Sequence, residues 1–152
     1  MSTIPTDPSD PAGPAGAADC IFCRIVAGDV PSRQVYADDA AVAFLDVAPW
    51  HRGHTLVVPR RHVADLLGDE PALTEIAPAV EAVARLLVDR LEAPGVNLLS
   101  SSGAVAGQEV FHLHVHVVPR FDDAPGVINL VTPSDVDETE LDEVHTRVTG
   151  PG

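Results

Sequence analysis

"FHLHVHVVPR", residues 111–120, holds three histidines, each separated from the next by one apolar residue. In an extended strand successive side chains point to opposite faces. His112, His114 and His116 therefore share one face, and Leu113, Val115 and Val117 share the other. The alternation predicts a strand over 110–120, with its apolar face packed under a helix or a neighbouring layer. A solvated strand face has little use for three imidazoles, so the histidine face points to a pocket or a metal.

The rest of the chain supplies partners for that strand. "QVYADDAAVAFLDVAP" (34–49) predicts two short strands around a turn at Ala37-Asp38-Asp39. "GHTLVVPRRH" (53–62) predicts a strand ended by Pro59. Residues 72–92 place Leu73, Ile76, Val80, Val83, Leu87 and Leu91 at gaps of three and four, the mark of an amphipathic helix. Pro78 within it predicts a kink or a restart. "GVNLLSS" (95–101) predicts another strand, followed by a Gly-containing loop. The order hairpin, strand, helix, strand, loop, strand gives an α+β class: an antiparallel sheet with one main helix. Residues 1–18, rich in Pro, Ala, Gly and Asp, predict a disordered tail; 19–121 form the domain. Residues 122–152 are an acidic segment, in which "SDVDETELDEVHTRV" reads either as a short helix capped by Ser134 or Asp135, or as disorder.

A chain of 152 residues can bury one core, and 45% apolar with 21% charged residues is ordinary for a globular protein. The formal charge of −14 excludes long nucleic acid as a partner. It leaves room for a small nucleotide held by local donors. No apolar run reaches membrane-span length and no signal peptide is visible, so a cytoplasmic location with reduced cysteines is expected.

Two chemistries suit the histidine face: a three-histidine metal centre, or a histidine nucleophile attacking phosphorus while its neighbours hold phosphate oxygens. The preceding "SSSGAVAGQ" (100–108) is rich in small residues and hydroxyls, and such a loop turns backbone N–H groups toward an anion. "CIFC" (20–23) uses both cysteines at a spacing that suits one tetrahedral ion. Two further ligands are needed, for which His62 and His112 are the first candidates and His51 the second. A redox pair or two packed core cysteines are the alternatives.

"FHLHVHVVPR" is similar to the His-x-His-x-His-x-x pattern of the histidine triad family. "CIFCRIVAGDVPSRQVYADDAAVAFLDVAPWHRGHTLVVPRRHVADL" resembles the N-terminal half of its nucleoside phosphoramidase branch, so the likeness spans residues 19 to about 121. The resemblance implies an α+β domain, joined across a homodimer into one extended sheet. It implies His114 as the nucleophile forming a nucleotidyl-imidazole, His116 as a donor to phosphate oxygens and His112 as support. His54 would lie beside the triad, and Asp46 would bind ribose hydroxyls. Phe22, Ile25, Phe44, Leu45 and Val47 would line the base pocket, and Ser101, Gly107 and Gln108 would approach the phosphate. Structural zinc on Cys20, Cys23, His62 and His112 is implied, with no catalytic metal required.

The chain departs from the branch at Glu109, where the branch often has Ser, and at Ser101, where it has a phosphate-contacting Asn. The implied partner is a purine nucleotide conjugate cleaved at its α-phosphorus. The alternatives are a dinucleoside polyphosphate hydrolase and a nucleotide-binding interaction protein with weak catalysis. A DNA-adenylate hydrolase is disfavoured by the charge, and a cupin-like metalloenzyme by the long helix and the Cys pair. His145, Arg60 and Arg61 read as solvated, and Trp50 as a packing or interface residue.

Overall fold

The computed structural model describes residues 17–132 and 134–152. All of the expected N-terminal tail except Ala17 and Ala18 lies outside that range; these two join Asp19 in a 3-10 turn. Five strands form one antiparallel sheet: β1 (Gln34–Ala37), β2 (Ala41–Leu45), β3 (Thr55–Pro59), β4 (Gly95–Leu99) and β5 (Val115–Arg120). Their order across the sheet is β1-β2-β3-β5-β4. The helices are α1 (Ile21–Ala27), α2 (Ala72–Leu91) and α3 (Glu138–Thr149).

The central strands β2 and β3 bury both faces, which is why they read as nearly continuous apolar runs. On one side Ala41, Ala43, Leu45, Val57, Val115 and Val117 pack against Ile76, Val83, Leu87 and Leu91 of α2. On the other, Val42, Phe44, Leu56 and Val58 meet Cys20 and Phe22 at the start of α1. Period two in the strands and period 3.6 in the helix thus converge on one core. Leu73 falls outside it and is exposed; the buried stripe begins instead at its neighbour Ala72. α2 runs unbroken through Pro78, so of the two expected outcomes, a kink or a restart, the restart does not occur. Pro78 removes the partner of the Thr74 carbonyl, and both residues lie on the solvent side, where water can replace it.

The ladder of β5 begins at Val115, later than the alternation predicts. Residues 110–114 keep their alternating faces, but the Leu113 N–H bonds the Val63 carbonyl beyond the end of β3. The first hairpin turns one residue later than expected, because the Asp38 carboxylate accepts the N–H groups of Ala40 and Ala41. Gly53, with φ +83°, sits where a Cβ would collide with Leu91 Cδ1, so glycine lets this turn close on α2 and seat the next residue, His54.

The acidic segment does form a helix, capped by Asp137 rather than Ser134 or Asp135: its carboxylate accepts the Glu140 N–H at 3.0 Å. Leu141, Val144 and Val148 are buried, and His145 Nε2–H donates to the Gln34 carbonyl at 2.8 Å instead of facing solvent. Arg33 grips the helix's first turns through Glu138 at 2.5 Å and Asp142 at 2.8 Å. Among the described residues no helix is long and apolar enough to cross a membrane.

Candidate active site and metal centre

Cys20 caps α1 and Cys23 lies in its first turn, so both sulfurs sit at a helix N-terminus, where negative charge is favoured. Their Sγ atoms and the Nδ1 atoms of His62 and His112 all lie within 4.8 Å of one another. Cys23 Sγ is 3.2 Å from His62 Nδ1 and 3.4 Å from His112 Nδ1, and Cys20 Sγ is 3.5 Å from His112 Nδ1. A tetrahedral zinc with Zn–S of about 2.3 Å and Zn–N of about 2.0 Å has S···N edges of roughly 3.5 Å. His112 Nε2–H donates to the Pro59 carbonyl at 2.8 Å, which leaves the Nδ1 lone pair aimed at the sulfurs. Burial and the adjoining Cys20 side chain push Cys23 up to about 11, so a cation is needed to hold Cys23 as a thiolate. Two thiolates, two neutral imidazoles and a divalent ion sum to zero charge, which suits a buried site. His51 is not part of this cluster; its Nε2–H donates to the Asn129 carbonyl at 2.6 Å.

Phe22 separates the cluster from a cleft of about 990 Å³, its ring edge-on to His112 at 5.9 Å and to His114 at 5.2 Å. His114 and His116 both line the cleft, with ring centroids 4.9 Å apart. Each has one nitrogen engaged by a partner of known character, and this sets its tautomer. His114 Nδ1–H donates to the His112 carbonyl at 2.8 Å, so its Nε2 carries the lone pair. The Trp50 N–H donates to His54 Nδ1 at 3.0 Å, so His54 is protonated on Nε2 and donates to His116 Nδ1 at 2.8 Å. His116 is left with Nε2–H. The cleft therefore meets a lone pair on His114 and a donor on His116.

Burial keeps these rings neutral. It pushes His54 down to about 3, with help from His51 and His114, and His116 down to about 3, with help from His54 and His114. It also lowers His114. The same tautomers argue against metal on Asp46, His54 and His116, whose ligand atoms also lie together. His54 Nε2 bears hydrogen, and a metal there would move that hydrogen to Nδ1, against the Trp50 N–H.

A depressed histidine pKa has a definite linkage sign. The unfolded chain takes up protons near pH 6.5 that folded His54 and His116 refuse until about 3. Their neutral burial is tolerated in full above about pH 6.5, and stability is lost progressively as pH falls through that interval. The Tm should drop over this range, and His116→Ala should flatten the slope. An equal slope in the variant would contradict the assignment.

The remaining expected residues divide. Asp46, Phe22, Ile25, Phe44, Leu45, Val47, Ser101 and Gly107 line the cleft. Asp46 Oδ1 accepts the Ala48 N–H at 2.8 Å, and Oδ2 lies 3.7 Å from His54 Nε2. His54 is fully buried behind His116, so it acts on the cleft through its neighbour. Gln108 is turned inward: its amide donates to the Ala64 and Val110 carbonyls and accepts the Gly103 N–H, bracing the loop rather than reaching the cleft. Gly107 takes φ +97°, which holds that loop's turn open to the cleft. Glu109 lines the cleft too, and Asn97 does not, its Oδ1 being held by Arg120. Arg60 and Arg61 bind the Asp38 carbonyl and the Glu70 and Glu75 carboxylates, away from any phosphate site.

A family profile described as the HIT domain matches residues 27–123. The chain belongs to the histidine triad (HIT) family. The Bacillus subtilis protein hit is 44% identical over 110 residues, 71% of this chain and 75% of its own. A zinc-bound histidine triad family protein from Mycobacterium smegmatis superposes with a TM-score of 0.69 at 34% identity, covering 88% of this chain and 95% of that one. The Arabidopsis thaliana adenylylsulfatase HINT3 is 35% identical over 103 residues, 67% of this chain and 52% of its own.

Within this HIT fold, sequence reasoning missed Trp50, Leu99, Arg33, Glu138 and Asp142 as cleft residues. Leu99 lies two residues before Ser101 at the end of β4, and strand alternation could have found it. The acidic pair on α3 had no local signal, because its approach depends on where a distant helix docks.

Proposed function

We propose that this HIT protein is a hydrolase that releases a nucleoside 5′-monophosphate from a phosphoramidate-like conjugate through a nucleotidyl-His114 intermediate. One observation carries the reading: opposite tautomers on adjacent rings, a lone pair on His114 beside an N–H donor on His116. His114 Nε2 attacks the α-phosphorus in line, and the bond to the leaving group breaks. The His112 carbonyl, accepting from Nδ1–H, supports the positive charge that the nucleotidylated imidazole acquires. His116 Nε2–H donates to a non-bridging oxygen as it gains charge. The leaving amine departs with the bonding pair and takes a proton from solvent. Water then attacks phosphorus from the opposite side and regenerates neutral His114.

Phe22, Ile25 and Phe44 form an apolar slot for a base, and Asp46 beside it suits the ribose hydroxyls. Structural zinc on Cys20, Cys23, His62 and His112 would hold His112, and with it the carbonyl that orients His114. The outer edge of β4, which pairs with no other strand among the described residues, suits pairing with a second copy. The likeness to a relative named as an adenylylsulfatase supports chemistry at an adenylyl group.

Charge favours a short conjugate over a dinucleoside polyphosphate. Asp46, Glu109, Glu138 and Asp142 line the cleft, and the cleft's Arg33 is already held by two of them. Turnover of adenosine 5′-phosphoramidate and of diadenosine tetraphosphate by the purified protein tests the reading. The phosphoramidate should be hydrolysed at least about a hundredfold more efficiently. Preference for the polyphosphate would overturn it.

A further inference from the structure

We propose, resting on the reading above, that Trp50 is a positioning residue: its backbone sets the tautomer of the phosphate-holding pair, and its indole fixes the plane of His116. The main-chain N–H reaches His54 Nδ1 at 3.0 Å and so starts the relay that leaves His116 with Nε2–H. The side chain does the second task. Its ring lies 4.4 Å from that of His116 with an interplanar angle of 18°, a stacked pair, and 4.5 Å from that of His54 at 35°.

One hydrogen bond to Nδ1 leaves an imidazole free to swing about the bond axis. A parallel indole against its face removes that freedom and holds Nε2–H on one line. Trp50 is itself pinned. The turn around it is held on one side by Ser134 Oγ–H donating to the Pro49 carbonyl, and on the other by His51 Nε2–H donating to the Asn129 carbonyl at 2.6 Å. The C-terminal segment thus reaches the histidine pair through this turn as well as lining the cleft with Glu138 and Asp142. The bland packing role expected of Trp50 leaves its parallel contact with a cleft histidine unexplained.

Trp50→Leu keeps the backbone N–H and the apolar bulk but removes the aromatic face; Trp50→Phe keeps a face. With adenosine 5′-phosphoramidate, Trp50→Leu should lower kcat roughly tenfold or more while KM moves less than about twofold, and Trp50→Phe should recover most of the loss. Trp50 is the single tryptophan of the chain, so its emission reads the stack directly. His116→Ala in the otherwise intact protein should change its intensity or wavelength. Wild-type kcat in the Leu variant, or emission indifferent to His116→Ala, would overturn the proposal. A wild-type protein that turns over no phosphoramidate defeats the functional reading instead, and the emission experiment still decides whether the stack exists.

Discussion

His114→Ala should bind a nucleoside monophosphate as the wild type does and hydrolyse adenosine 5′-phosphoramidate at least about a thousandfold more slowly. The ring contributes the attacking lone pair, and nothing beside it can substitute. His116 presents a hydrogen to the cleft, not a lone pair, because His54 already donates to its other nitrogen. His112 has both nitrogens occupied, one by the Pro59 carbonyl and one facing the cysteine sulfurs. Binding should survive, since the base slot and Asp46 are untouched. Isothermal titration with the monophosphate and steady-state turnover separate the two effects. A variant that keeps even a tenth of wild-type kcat would show that water attacks phosphorus directly.

Removal of zinc should lower the Tm by about 10 °C or more and depress turnover with it. The protein as purified should carry one zinc per chain, and Cys23→Ser should lose it. The cluster ties the start of α1 to the segment leading into β5 and to the chain beyond β3, three parts distant in sequence. Without the ion, two thiols and two imidazoles remain packed together with nothing to crosslink those three segments. The loss should also reach the cleft, because the carbonyl of the ligand His112 is the acceptor that orients His114. Metal analysis and thermal melts of the Cys23→Ser variant, with and without added zinc, measure both. An equally stable, equally active metal-free protein would remove zinc from the account.

Much of this was legible because two periodicities are unmistakable. Gaps of three and four from Ile76 to Leu91 define α2, and the alternation from Leu113 to Val117 separates the core face from the histidine face. Alternation reports which way side chains point, not where the ladder is hydrogen-bonded, so the start of β5 was read too early. α1 spans only seven residues, too few for a period, and its clearest marker is Gly28 in the left-handed conformation at its end. The gathering of two cysteines and two histidines could be foreseen from Cys-x₂-Cys, whose spacing is local and specific. The tautomers could not. They depend on the carbonyls of Pro59 and His112 and on the Trp50 N–H, and main-chain groups leave no trace in side-chain patterns. The inward turn of Gln108 was hidden for the same reason, since its partners are all backbone.

The stereochemical course at phosphorus distinguishes a covalent His114 intermediate from direct attack by water. Hydrolysis of a chirally labelled nucleoside phosphoramidate proceeds through two in-line displacements if His114 becomes nucleotidylated, first by imidazole and then by water. Each inverts the phosphorus, so the account predicts net retention, with the transient nucleotidyl group recovered on the peptide containing His114. Net inversion would mean a single attack by water, and His114 would not be a nucleophile.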